Sequence, residues 1–384
     1  MQTSRRQAAT AAAGTVTAIA VIGCAMALSG PGSEPLAART PAAASTPAAA
    51  AASIGDVTGA GPARSKHAAW PHAVHHSPGP AGHRRVHRRP GRHQRRTART
   101  PVVHVREVGG GRLGSSKVVV ARDAIPLPHV PASAYVVANA KTGKVLAAKD
   151  AHGRYPPAST LKMLTAITML PRLRPGATIT ASQRAVSVVP NIIGVIPGHR
   201  YQVADLFRAL LLISANDAAV ALAQASGSFS KGIALMNAEA RHLRAYDVVA
   251  KQPNGLPAAG QVVSAYDLAL IARRALQIPA FMRYDHTLSA MFGDTRFGPV
   301  HMVNENGLLT GYPGGLGGKT GWTTAAGATY VGMARRNGVT LIVTILHATP
   351  LTEIASAERL LDWGFASNGR VGPVGRLVRP LAGK

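Results

Sequence analysis

The chain has 384 residues, 46% of them hydrophobic but only 4% aromatic, and a formal net charge of +27. That length accommodates two or three domains, and a single cysteine, Cys24, excludes an intrachain disulfide and a cysteine-built metal site. Histidine does not supply one instead: eight of the 15 lie between His67 and His104, the others are scattered, and no H-E-x-x-H spacing occurs.

The chain opens on a targeting pattern. Arg5 and Arg6 precede a largely apolar, uncharged run from Ala8 to Leu28. Residues 1–34 therefore read as a cleaved signal peptide or a retained membrane anchor. Val21-Ile22-Gly23-Cys24 is similar to a bacterial lipoprotein signal, which makes Cys24 the candidate for acylation, although the apolar run continues past it. Each reading exports the rest of the chain. The protein is expected outside the membrane or in the wall, attached, if at all, through its N-terminus.

Residues 35–125 read as a linker. Pro41 to Ala52 is an Ala/Pro tract, and Gly82 to Arg96 is crowded with arginine and histidine. With so little to bury, such a segment cannot offset the entropy of ordering and is expected to stay extended. Residues 1–125 carry 17 Lys and Arg against 4 Asp and Glu. Export argues against nucleic acid as the partner, as does the lack of interleaved aromatics, Trp70 being the only one nearby. Anionic lipid or wall polymer fits the charge; a solubilising spacer with no partner fits it as well.

Compact structure is expected over residues 126–366. Ala132 to Asp150 alternates as two short strands about Lys141-Thr142-Gly143-Lys144, a hairpin signal. Pro156 and Pro157 end it and precede a helix from about Ser159 to Leu170. Residues three apart on a helix share a face, so Lys162 falls beside the Ser159 hydroxyl. Unpaired N–H groups at a helix start favour developing negative charge. A serine needs a base, and a lysine becomes one when desolvation or a second cation lowers its pKa. The apolar neighbours Leu161, Met163, Leu164 and Ile167 offer a dry wall. Taken alone, S-x-x-K equally describes a helix start with a surface lysine.

Tyr201 to Ser226 gives two helices broken near Ser214, and Lys231 to Leu243 and Ala265 to Leu276 give two more. At the break stands Ser214-Ala215-Asn216-Asp217. Ser214 and Asp217 fit a capping box, which leaves Asn216 unexplained. In the alternative, Ser214 relays a proton and the Asn216 amide binds substrate backbone. Further on comes Gly317-Gly318-Lys319-Thr320-Gly321-Trp322. A Walker A loop is excluded, because its first glycine would fall on Pro313. Lys319 and Thr320 entering an edge strand could meet a carboxylate, and Gly321 would admit a ligand against the strand; a turn explains the glycines equally well. Gly327 to Arg335 and Val339 to His347 form a second hairpin, and Leu351 to Phe365 a closing amphipathic helix. Residues 367–384 read as a short basic tail. Strands at both ends with helices between suggest one sheet built from both termini and a helical lobe inserted between them.

The three motifs occur in the order S-x-x-K, S-x-N, K-T-G, a set shared by penicillin-binding proteins and β-lactamases. From Pro131 to Phe365 the chain resembles the low-molecular-weight penicillin-binding proteins that are serine-type D-alanyl-D-alanine carboxypeptidases. Tyr155 to Ala166, Leu211 to Leu222, Met236-Asn237 with Asn254-Gly255-Leu256, Asn304 to Leu309, Tyr312-Pro313-Gly314 and Ala326-Gly327 carry the resemblance beyond the triplets. It implies an α/β fold of the β-lactamase/transpeptidase-like type: an antiparallel sheet flanked by helices, an α-helical lobe, and the site between them. It also implies the roles. Ser159 is the nucleophile that forms an acyl-enzyme on peptidoglycan pentapeptide and binds β-lactams covalently. Lys162 is the general base and Ser214 the proton relay. Asn216, Lys319, Thr320 and Gly321 bind substrate, and the backbone N–H groups of Ser159 and Trp322 form the oxyanion hole. No metal or organic cofactor is implied. Some relatives carry a further β-rich C-terminal domain and a terminal anchor, neither of which is expected here. No E-x-x-L-N follows Ser214, so a bound β-lactam is expected to stay attached, against the runner-up reading of a β-lactamase. A D-alanyl crosslink endopeptidase uses the same chemistry, and a non-catalytic wall-binding protein would need no activated serine.

Overall fold

The computed structural model describes residues 108–382. Expectations about the leader, Cys24 and most of the linker lie outside that range. The central sheet is antiparallel, in the order β1-β3-β2-β10-β9-β8. Its strands are β1 Val118–Val120, β2 Ala132–Asn139, β3 Lys144–Lys149, β8 Gly315–Thr323, β9 Gly327–Arg336 and β10 Val339–Ala348. The expected hairpins are β2–β3 and β9–β10. They join through the β2–β10 ladder, which runs from Leu341 opposite Asn139 to Ala348 opposite Ala132. The two ends of the domain thus meet in its middle strands.

Both faces of that sheet are covered, which is why its strands read as almost unbroken apolar runs. Val136 and Ala138 enter one core, Tyr135 and Val137 the other. Helix α9, Glu353–Ser367, closes the second with Ala357, Leu360, Leu361 and Trp363. Helix α6, Ala265–Ala275, lies on the first face and leads into the lobe. The lobe packs α1 Lys162–Met169, α3 Val203–Leu212, α4 Asn216–Gln224 and α5 Phe229–His242 around leucines and alanines with no exposed surface. Short helices α2 Gln183–Val186 and α7 Pro279–Asp285 fill its margins, and α8 Gly307–Gly311 packs instead against β8 and α9. Two-stranded sheets also fill the margins of the lobe, pairing β4 Thr178–Thr180 with β5 Arg200–Gln202 and β6 Ser289–Phe292 with β7 Val300–Val303.

Two boundaries differ from the sequence expectation. The linker was expected to reach residue 125, but Val108 and Leu113 are buried and β1 pairs with β3. The tail was expected to begin at 367, but β11, Gly375–Arg376, pairs with the other half of β3, and Val374 and Leu377 are buried beside it. Physically, the outer edge of β3 would otherwise present unpaired backbone groups. It is closed by one segment from each end of the domain, both too short to show a period. Among the described residues, no helix is long and apolar enough to cross a membrane.

Candidate active site

The prolines do more than end a strand. Pro157 caps a single 3-10 turn, Ala158–Leu161, and α1 starts at Lys162. A 3-10 turn has three residues, so side chains three apart eclipse. Lys162 Nζ accordingly stands 2.8 Å from Ser159 Oγ. It also reaches Asn216 Oδ1 and the Asn254 carbonyl, each at 2.7 Å. The Asn254 carbonyl can reach it because Gly255, at φ +84, lies so close to the Ala158 carbonyl that any Cβ would run into it.

Lys162 has no exposed surface. Burial pushes its ammonium well below the ordinary lysine range, and the charge of Lys319 pushes it further; Glu305 and Asp217 oppose this more weakly. The hydrogen bonds to three oxygens favour the ammonium, but desolvation of a wholly buried charge dominates. An amine with a free lone pair is therefore accessible beside the Ser159 hydroxyl.

Ser214 occupies the turn between α3 and α4 at φ 61 and is almost wholly buried. The capping box does not form. Ala215 is the N-cap residue of α4, without a side-chain bond. Asp217 instead turns its carboxylate to the N–H groups of Ile193, Gly194 and Val195 at 3.0, 2.8 and 3.1 Å. That anchors the segment whose Pro190 and Asn191 rim the site. Asn216 is committed at both ends of its amide: Oδ1 accepts from Lys162, and Nδ2 donates to Val189 O at 2.9 Å. One Nδ2 hydrogen is left over.

The K-T-G segment lies in β8, at the end of the sheet. Gly318 donates its N–H to Asp285 Oδ2 at 2.8 Å, and burial pushes the Asp285 carboxyl up to about 8. Lys319 is buried, donates to Thr320 O at 3.1 Å, and has its pKa lowered by desolvation against the pull of Glu305 and Asp285. Gly321 is the point of contact between the strand and the 3-10 turn that carries Ser159. A Cβ there would stand 2.7 Å from Ser159 N and 3.0 Å from Thr160 N. Thr329, the neighbour of Gly321 on β9, ties the two together by donating to Pro157 O at 3.0 Å. The indole of Trp322 is 60% exposed at the rim.

Ser159, Ser214, Asn216, Thr320, Gly321 and Trp322 line one cleft of about 610 Å³, with Lys162 and Lys319 buried behind it. Every residue nominated from the motifs is there except Cys24, which lies outside the described residues. Sequence reasoning missed four contributors. The Asn254 carbonyl is backbone and leaves no signature beyond Asn254-Gly255. Asp285 is a lone acid at the last position of α7. Glu305 and Glu353, the two carboxylates of the lining, were not singled out, although Glu305 sits within Asn304 to Leu309. Among the described residues, no cluster of three His, Cys, Asp or Glu side chains could hold a metal.

Residues 121–350 match a family model described as D-alanyl-D-alanine carboxypeptidase. Among curated proteins the chain is 39% identical over 250 residues to D-alanyl-D-alanine carboxypeptidase DacB2 of Mycobacterium tuberculosis, covering 64% of this chain and 86% of that protein. It is 30% identical over 247 residues to DacF of Bacillus subtilis, covering 62% of this chain and 63% of that one. Among solved structures it resembles the D-alanyl-D-alanine carboxypeptidase from Mycobacterium tuberculosis, with a TM-score of 0.64 and 38% identity over 67% of this chain and 99% of that one. The Streptomyces K15 DD-transpeptidase is similar as well, with a TM-score of 0.60 and 28% identity over 63% of this chain and all of that one.

Proposed function

This chain belongs to the D-alanyl-D-alanine carboxypeptidase family, and from that premise we propose that Ser159 and Lys162 are its nucleophile and general base. The enzyme cleaves the D-alanyl-D-alanine bond of peptidoglycan stem peptides by serine chemistry, and β-lactams occupy the same site. One observation carries the assignment of roles: a wholly buried lysine, its pKa driven down, whose Nζ lies 2.8 Å from a serine hydroxyl that opens on the cleft.

The steps follow. Neutral Lys162 takes the Ser159 proton as Oγ attacks the carbonyl carbon of the penultimate D-alanine. The carbonyl oxygen becomes an oxyanion facing the backbone N–H groups of Ser159 and Trp322, whose strand and turn are held together at Gly321. The proton passes from Lys162 through Ser214 to the departing nitrogen, and the C–N bond breaks. Lys319 and Thr320 hold the terminal carboxylate, with Lys319 supplying charge from behind the lining. The spare Nδ2 hydrogen of Asn216 reaches the substrate amide. Water then adds to the ester carbon, loses a proton to Lys162, and releases the shortened peptide and the Ser159 hydroxyl.

Residues 1–34 export the protein and, if retained, tether it, and the basic run Gly82 to Arg96 contacts anionic lipid or wall polymer. The catalytic reading is tested with a soluble pentapeptide ending in D-Ala-D-Ala. Free D-alanine should appear with the full chain and fall to background with Ser159→Ala. Release that survives Ser159→Ala would overturn the assignment, and rapid penicillin hydrolysis would point to a β-lactamase instead.

A further inference from the structure

The C-terminal segment builds a second cavity that the peptidase reaction does not use. After β11 the chain crosses the ends of α5 and α6: Leu377 donates its N–H to Gly143 O at 2.7 Å, and Leu381 donates to His242 O at 2.8 Å. Beneath it is a cavity of about 390 Å³ whose lining includes Arg273, Arg274, Arg379, Leu243, Leu270 and Val378. No carboxylate lines it, and none of the three arginines forms an ion pair among the described residues. Arg273 is fixed by carbonyls alone, with Nε 2.8 Å from Ala140 O and Nη1 3.0 Å from Leu377 O. Carbonyls orient a guanidinium without neutralising it. Burial lowers the pKa of Arg273, and the charge of Arg379 adds to this. Close by, the buried Nε of Arg244 has no hydrogen-bond partner among the described residues.

Guanidinium groups repel one another, and bringing three to one concavity without an acid is unfavourable unless an anion completes it. A planar fork with paired donors matches the oxygens of a phosphoryl group. We propose that this pocket binds a phosphate-bearing ligand, with Arg274 and Arg379 gripping the phosphoryl oxygens, Arg273 forming the fixed positive wall, and Leu243, Leu270 and Val378 contacting the attached carbon skeleton. The site is distinct from the cleft, with which it shares no lining residue. It also adjoins the point where the linker enters. Gly109 O accepts the N–H of Arg376, two residues before Val378, at 2.8 Å.

The test is residue-resolved arginine modification of the full chain with phenylglyoxal, read by peptide mass spectrometry, with pyrophosphate as the probe. Millimolar pyrophosphate should slow modification of Arg274 and Arg379 at least five-fold and leave the exposed Arg370, outside the pocket, unchanged. A soluble glycerol phosphate polymer and phosphatidylglycerol vesicles form two further arms. Protection by the polymer alone assigns a wall polymer, and protection by the vesicles alone assigns a bilayer surface. The double variant Arg274→Ala, Arg379→Ala should lose at least five-fold in pyrophosphate affinity while releasing D-alanine from soluble pentapeptide at the wild-type rate. Absence of protection in all arms, equal slowing at Arg370, or unchanged pyrophosphate affinity in the variant would overturn the site.

Discussion

Gly321→Ala tests whether the proposed oxyanion hole depends on contact between β8 and the Ser159 turn. The backbone at Gly321 is not in the left-handed region, so alanine brings no conformational penalty of its own, only a methyl group. That methyl would stand 2.7 Å from Ser159 N, where ordinary contact begins at 3.4 Å, so strand and turn must part by 0.7 Å (3.4 less 2.7). The opposing atoms are the backbone nitrogens of Ser159 and Thr160 as well as the Thr329 hydroxyl, and only the last can rotate away. Since a misplacement of about 1 Å costs on the order of 10²-fold, the loss in acylation rate should be roughly 25-fold. The same overpacking should lower stability by about 1–3 kcal/mol, leaving the variant folded at room temperature. The assay is stopped-flow acylation by a fluorescent penicillin, with Gly176→Ala, a site with no atom within 4 Å of the added Cβ, as the control. A folded Gly321→Ala protein that acylates at the wild-type rate would refute the argument.

The remaining expectations concern charge and packing. As the proposed base, Lys162 acts only when neutral, so acylation should fall as pH drops through its lowered pKa. Lys319→Ala removes the cation that helps lower it and should move the acid limb of the penicillin pH–rate profile to higher pH; Glu305→Gln removes an opposing carboxylate and should move it to lower pH. Shifts in one common direction would contradict the electrostatic account. Asp217→Ala strips the acceptor from the three buried N–H groups of Ile193, Gly194 and Val195 and should cost roughly 3–5 kcal/mol in urea unfolding, where a loss under about 1 kcal/mol would deny its anchoring role. Leu377→Ala should cost about 2–5 kcal/mol by the same measurement if the C-terminal segment belongs to the fold, and nothing if it is a loose tail.

What the sequence disclosed follows the range of the interactions involved. Ser159 and Lys162 were legible because one turn relates them. The hairpins were legible from alternation, and Lys319 from a short glycine-flanked triplet. Asp217 was misread as a possible cap because its partners, Ile193 to Val195, lie more than 20 residues away and are backbone groups with no side-chain signature. The third contact of Lys162, the Asn254 carbonyl, was hidden for the same reason. Val118–Val120 and Gly375–Arg376 escaped because strands of three and two residues carry no period, and only the open edge of β3 gives them meaning. The arginine pocket was invisible, since its side chains come from α6 and from a segment more than 100 residues later.

The most direct measurement is the site of penicillin attachment. The full chain is incubated with a β-lactam, digested, and mapped by tandem mass spectrometry, with Lys162→Ala in parallel. The account predicts a stable adduct on Ser159 in the wild type and, in the variant, an adduct that forms orders of magnitude more slowly. An adduct on Ser214, or one that forms equally fast without Lys162, would contradict it.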